Sequence, residues 1–245
     1  MGNSLRAETI RIAGHDGDEI EAYLARPDGE TRRGGVVVIH HMPGYDRATL
    51  EIVRRLAELG YDAICPNLHY REAPGAAADD AAAANRAAGG VPDERLTGDV
   101  AAAAEQLRRL PTANGKVGAI GFCSGGRQAV LAGCTVDLQA AIDCYGAFVT
   151  EPTPDDFPIS VGNLIDRVPQ LRCPLLGLFG NEDKHPSPAA VDELERLLRE
   201  NGKTSEFHRY DDAGHAFFAV DRPSYRVAAA NDGWERISDF LVRYL

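Results

Sequence analysis

The chain has 245 residues, with 37 acidic against 26 basic side chains and a formal net charge of −11. One α/β domain reaches this length, and an acidic surface repels phosphate backbones, which argues against nucleic-acid binding. Hydrophobic residues make up 44% and charged residues 26%, which excludes a disordered chain, and no run of about 18 apolar residues exists to span a membrane.

The opening residues carry no apolar run of signal-peptide type. They begin Met1-Gly2, but Arg6 stands where a myristoylation motif wants Ser or Thr. The five cysteines, Cys65, Cys123, Cys134, Cys144 and Cys173, are odd in number and contain no Cys-x-x-Cys pair. They are expected to be free thiols in a reducing cytoplasm, with no structural zinc.

In chain order, Thr9–Ala13 and Glu19–Ala25 are expected as an antiparallel pair joined through His15-Asp16-Gly17-Asp18. Val36–Ile39 is a continuous apolar run, the mark of a strand buried on both faces. A helix over Ala48–Leu59 stops at Gly60, and Asp62–Cys65 is the next strand. A helix near Glu94–Leu110, a strand at Lys116–Phe122, a helix opening at Gly125 and a strand at Ala140–Tyr145 continue the alternation. Strand Leu175–Phe179 precedes a helix capped by Ser187, begun by Pro188 and closed by Gly202. Phe207–Tyr210 is the last strand, and Trp234, Ile237, Leu241 and Tyr244 share one face of a terminal helix. The pattern predicts one α/β domain over 1–245, with a mostly parallel eight-stranded sheet and helices on both faces. The alanine-rich stretch 73–93 breaks the rhythm and is expected as either a lid or a solvated surface excursion.

Gly121-Phe122-Cys123-Ser124-Gly125 follows a strand and opens a helix. That is the glycine-x-nucleophile-x-glycine elbow, in which a strained turn lifts the central side chain clear. Centring the frame on Ser124 would put Phe122 where glycine is needed, so Cys123 is the expected nucleophile and the Ser124 amide an oxyanion donor. The acid belongs after a late strand, where Asn181-Glu182-Asp183 stands; Asp183 is preferred and Glu182 is the alternative. The base belongs between the last strand and the last helix, where Asp212-Ala213-Gly214-His215 offers His215. The adjacent His40 and His41 at a strand end should point to opposite faces, so no catalytic metal is expected from them. The other four cysteines should pack as small hydrophobes.

These segments resemble the dienelactone hydrolases (carboxymethylenebutenolidases), cysteine members of the α/β-hydrolase fold, from about Ile10 to the terminus. The likeness rests on Gly121-Phe122-Cys123-Ser124-Gly125-Gly126, Arg71-Glu72-Ala73-Pro74-Gly75 and Ala213-Gly214-His215-Ala216-Phe217. It implies a triad of Cys123, Asp183 and His215, and gives Arg71 the role of binding a substrate carboxylate; a surface ion pair is the alternative for that arginine. Two departures stand out. Where family members carry a glutamate at the end of the third strand, this chain has His41, expected to contact substrate or the thiolate. The second oxyanion donor would be the Met42 amide, because Pro43 has no N–H. A second family arginine after the histidine is replaced within His215-Ala216-Phe217-Phe218-Ala219, where Ala219 stands at its place. Phe217, Phe218 and Met42 are expected at the mouth, favouring neutral apolar groups.

The expected activity is cofactor-free hydrolysis of small-molecule esters or lactones by a cytoplasmic monomer or homodimer. The rivals are a broad thiol esterase that ignores lactones and a non-catalytic receptor or redox sensor using Cys123.

Overall fold

A computed structural model describes residues 4–245; the Met1-Gly2 opening lies outside them. Eight strands form one sheet: β1 (Leu5–Ala13), β2 (Glu19–Pro27), β3 (Arg33–Ile39), β4 (Asp62–Pro66), β5 (Ala113–Phe122), β6 (Ala140–Cys144), β7 (Leu175–Gly180) and β8 (Ser205–Tyr210). Their order is β1-β2-β4-β3-β5-β6-β7-β8. The pairs β1·β2 and β2·β4 are antiparallel and all others parallel, the α/β-hydrolase arrangement. Among the described residues six α-helices accompany them: α1 (Arg47–Glu58), α2 (Ala78–Ala87), α3 (Asp93–Arg108), α4 (Ser124–Thr135), α5 (Pro188–Glu200) and α6 (Val227–Tyr244).

Consecutive side chains of a strand point to opposite faces, so a strand buried on both sides feeds two cores. In β3, Val36 and Val38 join Val53, Leu56, Ile237 and Phe240, so α1 and α6 cover that face. Val37 and Ile39 join Leu96, Val100, Val130 and Leu194, so α3, α4 and α5 cover the other. Local chemistry sets the helix starts. Asp46 caps α1 by accepting from the Thr49 amide at 2.8 Å, and Ser187 caps α5 by accepting from the Ala190 amide at 3.2 Å.

The sequence expectation missed the first half of β1, which begins at Leu5. This is an edge strand whose Arg6, Ala7 and Glu8 are exposed, so its pairing with Pro27–Leu24 leaves no alternation of apolar residues to detect. Within the alanine-rich stretch 73–93 lies α2, which buries Ala81, Ala82 and Asn85. It is a wall beside the sheet's carboxyl edge, where ligands of such folds bind.

Candidate active site

β5 runs straight into α4 through Cys123, whose φ of 57° and ψ of −124° leave the regions ordinary side chains favour. The turn is held by its surroundings. The Cys123 amide donates to Cys144 O at 3.0 Å, and the Gly126 amide donates to Cys123 O at 2.9 Å. Glycine is required on both sides: a Cβ on Gly121 would lie 1.8 Å from Gly125 O, and one on Gly125 2.2 Å from Ile39 O. The Ser124 amide is the first of α4, among those a helix leaves without an intrahelical acceptor. Cys123 is half-buried, whereas Cys65, Cys134, Cys144 and Cys173 are buried free thiols. Burial pushes Cys134 up to about 11 and Cys173 to about 12, so they stay protonated.

The loops after β7 and β8 are laced together. The Asn181 amide donates to Tyr210 O and the Glu182 amide to Ala213 O, each at 2.9 Å. A Cβ on Gly180 would lie 2.3 Å from Ala213 O, so glycine there allows the close approach. Asp183 is thereby carried against His215: Nδ1 of His215 lies 2.8 Å from Oδ2 of Asp183. The other carboxylate oxygen accepts from the His185 amide at 2.9 Å. Glu182 is exposed and does not take this place. Burial lowers the His215 pKa, but the Asp183 carboxylate and the Cys123 sulfur outweigh it and hold it up at about 10. Tyr145 packs edge-on against the imidazole at 5.2 Å.

Two cavities flank this line. A cleft is lined by Cys123, Ser124, Met42, His41, His69 and Phe148, among others. On the other side a second cavity is lined by Phe122, Tyr145, Phe218, Ala219, Arg55 and Trp234, among others. His40 and His41 border both. His41 Nε2 lies 2.6 Å from Asp46 Oδ2. Burial raises the Asp46 carboxyl, but the His41 and Thr49 hydrogen bonds prevail and hold it at about 2. His40 turns away: its Nε2 accepts from the Leu68 amide at 3.1 Å, and its Nδ1 lies 2.9 Å from His41 O. Burial pushes His40 down to about 3. Among the described residues no three His, Cys, Asp or Glu side chains gather to hold a metal.

Two expected substrate contacts lie elsewhere. Arg71 is absent from both cavity walls; its guanidinium donates to Asp99 at 2.8 and 2.9 Å and to Asp18 at 2.9 Å. Its position favours an ion pair, anchored in the core and not on the surface, because fully buried Asp99 takes the two terminal nitrogens and Asp18 takes Nε. Phe217 is fully buried beneath the histidine loop, stacked on Phe218 at 4.7 Å with Tyr145 and Tyr210 alongside. Both rings belong to one core cluster; Phe218 also lines the second cavity, whereas Phe217 lines neither cavity. Sequence reasoning missed His69, Asn85 and Gln128 in the cleft wall, and Arg127 paired there with Asp93 at 3.0 Å. A signal for the last two existed: Ser124, Arg127 and Gln128 fall at i, i+3 and i+4, one face of α4.

Residues 20–245 match the sequence profile of the dienelactone hydrolase family. A Methylorubrum extorquens protein, provisionally named a carboxymethylenebutenolidase, is 33% identical over 99% of this chain and 82% of its own length. The carboxymethylenebutenolidase of Pseudomonas putida is 29% identical, over 96% of each chain. Among solved structures, one from Klebsiella pneumoniae, provisionally named a dienelactone hydrolase, superposes with a TM-score of 0.87 at 29% identity, covering 99% of this chain and 100% of that one. No described helix is long and apolar enough to cross a membrane.

Proposed function

The chain belongs to the dienelactone hydrolase family and is a hydrolase of ester or lactone bonds, and we propose that Cys123, His215 and Asp183 carry out the reaction. The observation that carries this reading is the 2.8 Å contact between His215 and Asp183 beside the strained Cys123 turn. Asp183 accepts the Nδ1 proton of His215, so Nε2 takes the thiol proton. Because the imidazole is held protonated up to about 10, it keeps that proton as the imidazolium beside the Cys123 thiolate. The thiolate sulfur bonds to the carbonyl carbon, and the Ser124 and Met42 amides hold the developing oxyanion. The ester C–O bond then breaks, His215 returns its proton to the departing alkoxide, and water, activated by the same imidazole, releases the acid and the free thiol. His41, held by Asp46, faces this cleft in place of the family's glutamate and contacts the bound substrate.

The substrate is a small neutral ester or lactone. Arg127, the cation lining the cleft, is neutralised by Asp93, and Ala219 adds none. Five unpaired thiols support a reducing, cytoplasmic setting.

The test is turnover of an activated aryl ester by the purified chain. Cys123→Ala should abolish it, while Ser124→Ala keeps most of it, since Ser124 contributes its backbone. A Cys123→Ala variant with full turnover, or a Ser124→Ala variant with none, would show the nucleophile to be misplaced. Absence of turnover by the unmodified protein over a broad ester and lactone panel would favour a receptor or sensor.

A further inference from the structure

We propose that Asn85, His69 and Gln128 form a recognition wall selecting substrates that carry an unionised hydroxyl group beside the scissile ester or lactone. The proposal rests on Cys123 being the nucleophile, because the wall is placed relative to it. All three residues line the cleft that contains Cys123 and Ser124. They come from three separate parts of the chain: Asn85 from α2, His69 from the turn after β4, and Gln128 from α4.

Each carries a polar atom that is sealed from solvent and has nothing to bond to, His69 Nδ1 lying beside the Gly44 turn at the edge of the cleft. Nδ2 of Asn85, Nδ1 of His69 and Oε1 of Gln128 are buried without a hydrogen-bond partner among the described residues. Asn85 is 3% exposed and His69 4%. Buried polar groups are nearly always paired, because each orphan costs about 1–3 kcal/mol of desolvation. Together with Nε of Arg127, also buried and unpaired on the same wall, four orphans on residues bordering one cleft therefore point to a ligand that completes them.

The chemistry of the wall narrows the ligand. An amide N–H donor, an amide oxygen acceptor and a neutral imidazole together match a hydroxyl, which both donates and accepts. Burial pushes the His69 imidazole down to about 4, so it carries no charge at neutral pH. A carboxylate fits badly. The cation in this wall, Arg127, is held by Asp93 through two contacts at 3.0 and 3.1 Å and also donates to Gly162 O. Phe148, Phe157 and Ile159 line the same cleft and give the ring or chain carrying the hydroxyl an apolar surface. On this account the alanine-rich stretch has a purpose: α2 brings Asn85 to the cleft on a helix of small side chains.

The experiment compares three γ-butyrolactones that differ at C5 by hydroxymethyl, ethyl or carboxyl, using the purified full chain. The hydroxymethyl lactone should exceed its ethyl counterpart in kcat/KM by about tenfold, the scale of one well-placed neutral hydrogen bond, and exceed the carboxyl lactone as well. Asn85→Leu should bring the hydroxymethyl-to-ethyl ratio close to one, and Gln128→Leu provides the same readout from a different helix if the first variant folds poorly. Loss of packing alone would lower both rates without moving their ratio. Equal rates for the hydroxymethyl and ethyl lactones in the unmodified protein, or a ratio untouched by both variants, would overturn the proposal while leaving the Cys123 assignment standing. Conversely, turnover that survives Cys123→Ala removes that assignment, and the ratio still judges the wall. If none of the lactones is turned over, thermal shifts with the same three compounds decide. A larger shift with the hydroxymethyl lactone supports the wall, and equal or absent shifts overturn it.

Discussion

The Arg71 guanidinium grips the Asp99 carboxylate with two hydrogen bonds, and Asp99, with no exposed surface, also accepts from the His15 amide at 2.8 Å. One contact thus joins the turn after β4, helix α3 and the loop between β1 and β2. Asp18 adds a further bond from the rim. An arginine held from three sides in this way is a clamp between elements, and its charge is already compensated.

Arg71→Ala is therefore expected to act on stability before catalysis. Removing one partner of a buried pair costs about 3–5 kcal/mol, because it strands the other charge. For a chain of this size that corresponds to a fall in Tm of roughly 10 °C. Thermal melts alongside kcat/KM for a neutral aryl ester provide the check. An unchanged Tm with a large rise in KM for acidic substrates only would return Arg71 to substrate binding.

Asp183→Asn should leave the fold intact and cut kcat by on the order of a hundredfold, through loss of imidazole orientation. It also has a pH signature. The native state holds the His215 proton up to about 10, above the ordinary value near 6.5. Between those limits the folded protein binds more protons than the unfolded one, so stability falls as pH rises. The contribution is full below about 6.5 and gone above about 10. Because the carboxylate is a main source of that shift, the Tm gap between the native protein and Asp183→Asn should be widest near pH 6 and narrow towards pH 10. A gap that widens with pH would contradict the pairing.

What was legible in the sequence was local or set by chain order. The spacing of Gly121, Cys123 and Gly125 reflects clashes within one turn, so five residues suffice to reveal it. Asp183 and His215 follow successive strands, and their meeting across adjacent β7 and β8 follows from that order. Orientation was not legible. Arg71 stands in a telling motif, yet nothing local shows that its partner is Asp99, 28 residues away on helix α3. Phe217 and Phe218 stack on each other in one core cluster, and only the fold shows that Phe218 alone also reaches a cavity wall. Asn85 was hidden among alanines, because only the fold shows that its amide goes unpaired.

Asp143 lies on β6 directly opposite Gly121 and is fully buried. One oxygen accepts from the Gly146 amide at 2.7 Å, and the other has no partner. Burial raises its carboxyl to about 7, and the Gly146 hydrogen bond only partly opposes this. The folded state takes up a proton that the unfolded chain, with an ordinary pKa near 3.9, does not. Stability should therefore fall as pH rises from about 4 to about 7 and then level off. Asp143→Asn removes the titrating group. It should raise Tm by several degrees at pH 8 and change it little at pH 4. A variant less stable at pH 8 than at pH 4, each relative to the native protein, would show that the buried carboxylate is supported by something other than Gly146.

The last expectation concerns charge on the substrate. A carboxylate-bearing ester needs a cation free to meet it. In the cleft holding Cys123, Arg127 is bound to Asp93, and the buried His40 and His69 are neutral. In the second cavity, Arg55 lies over Trp234 at 4.0 Å, with Glu51 and Asp221 on the same walls to offset it. A missing charge-assisted hydrogen bond is worth roughly 1.5–3 kcal/mol, so a carboxylate-bearing substrate should trail its methyl ester by about tenfold to a hundredfold in kcat/KM. General repulsion by the net charge of −11 would produce a similar trend, but one that fades when salt shortens the range of surface fields. The matched acid and methyl ester should therefore be compared at low and high ionic strength, and the preference for the neutral member should persist in both. A preference for the acid that vanishes in Arg55→Ala would place the substrate carboxylate in the second cavity. One that vanishes in Arg71→Ala, with Tm unchanged, would mean that this guanidinium leaves Asp99 when substrate binds.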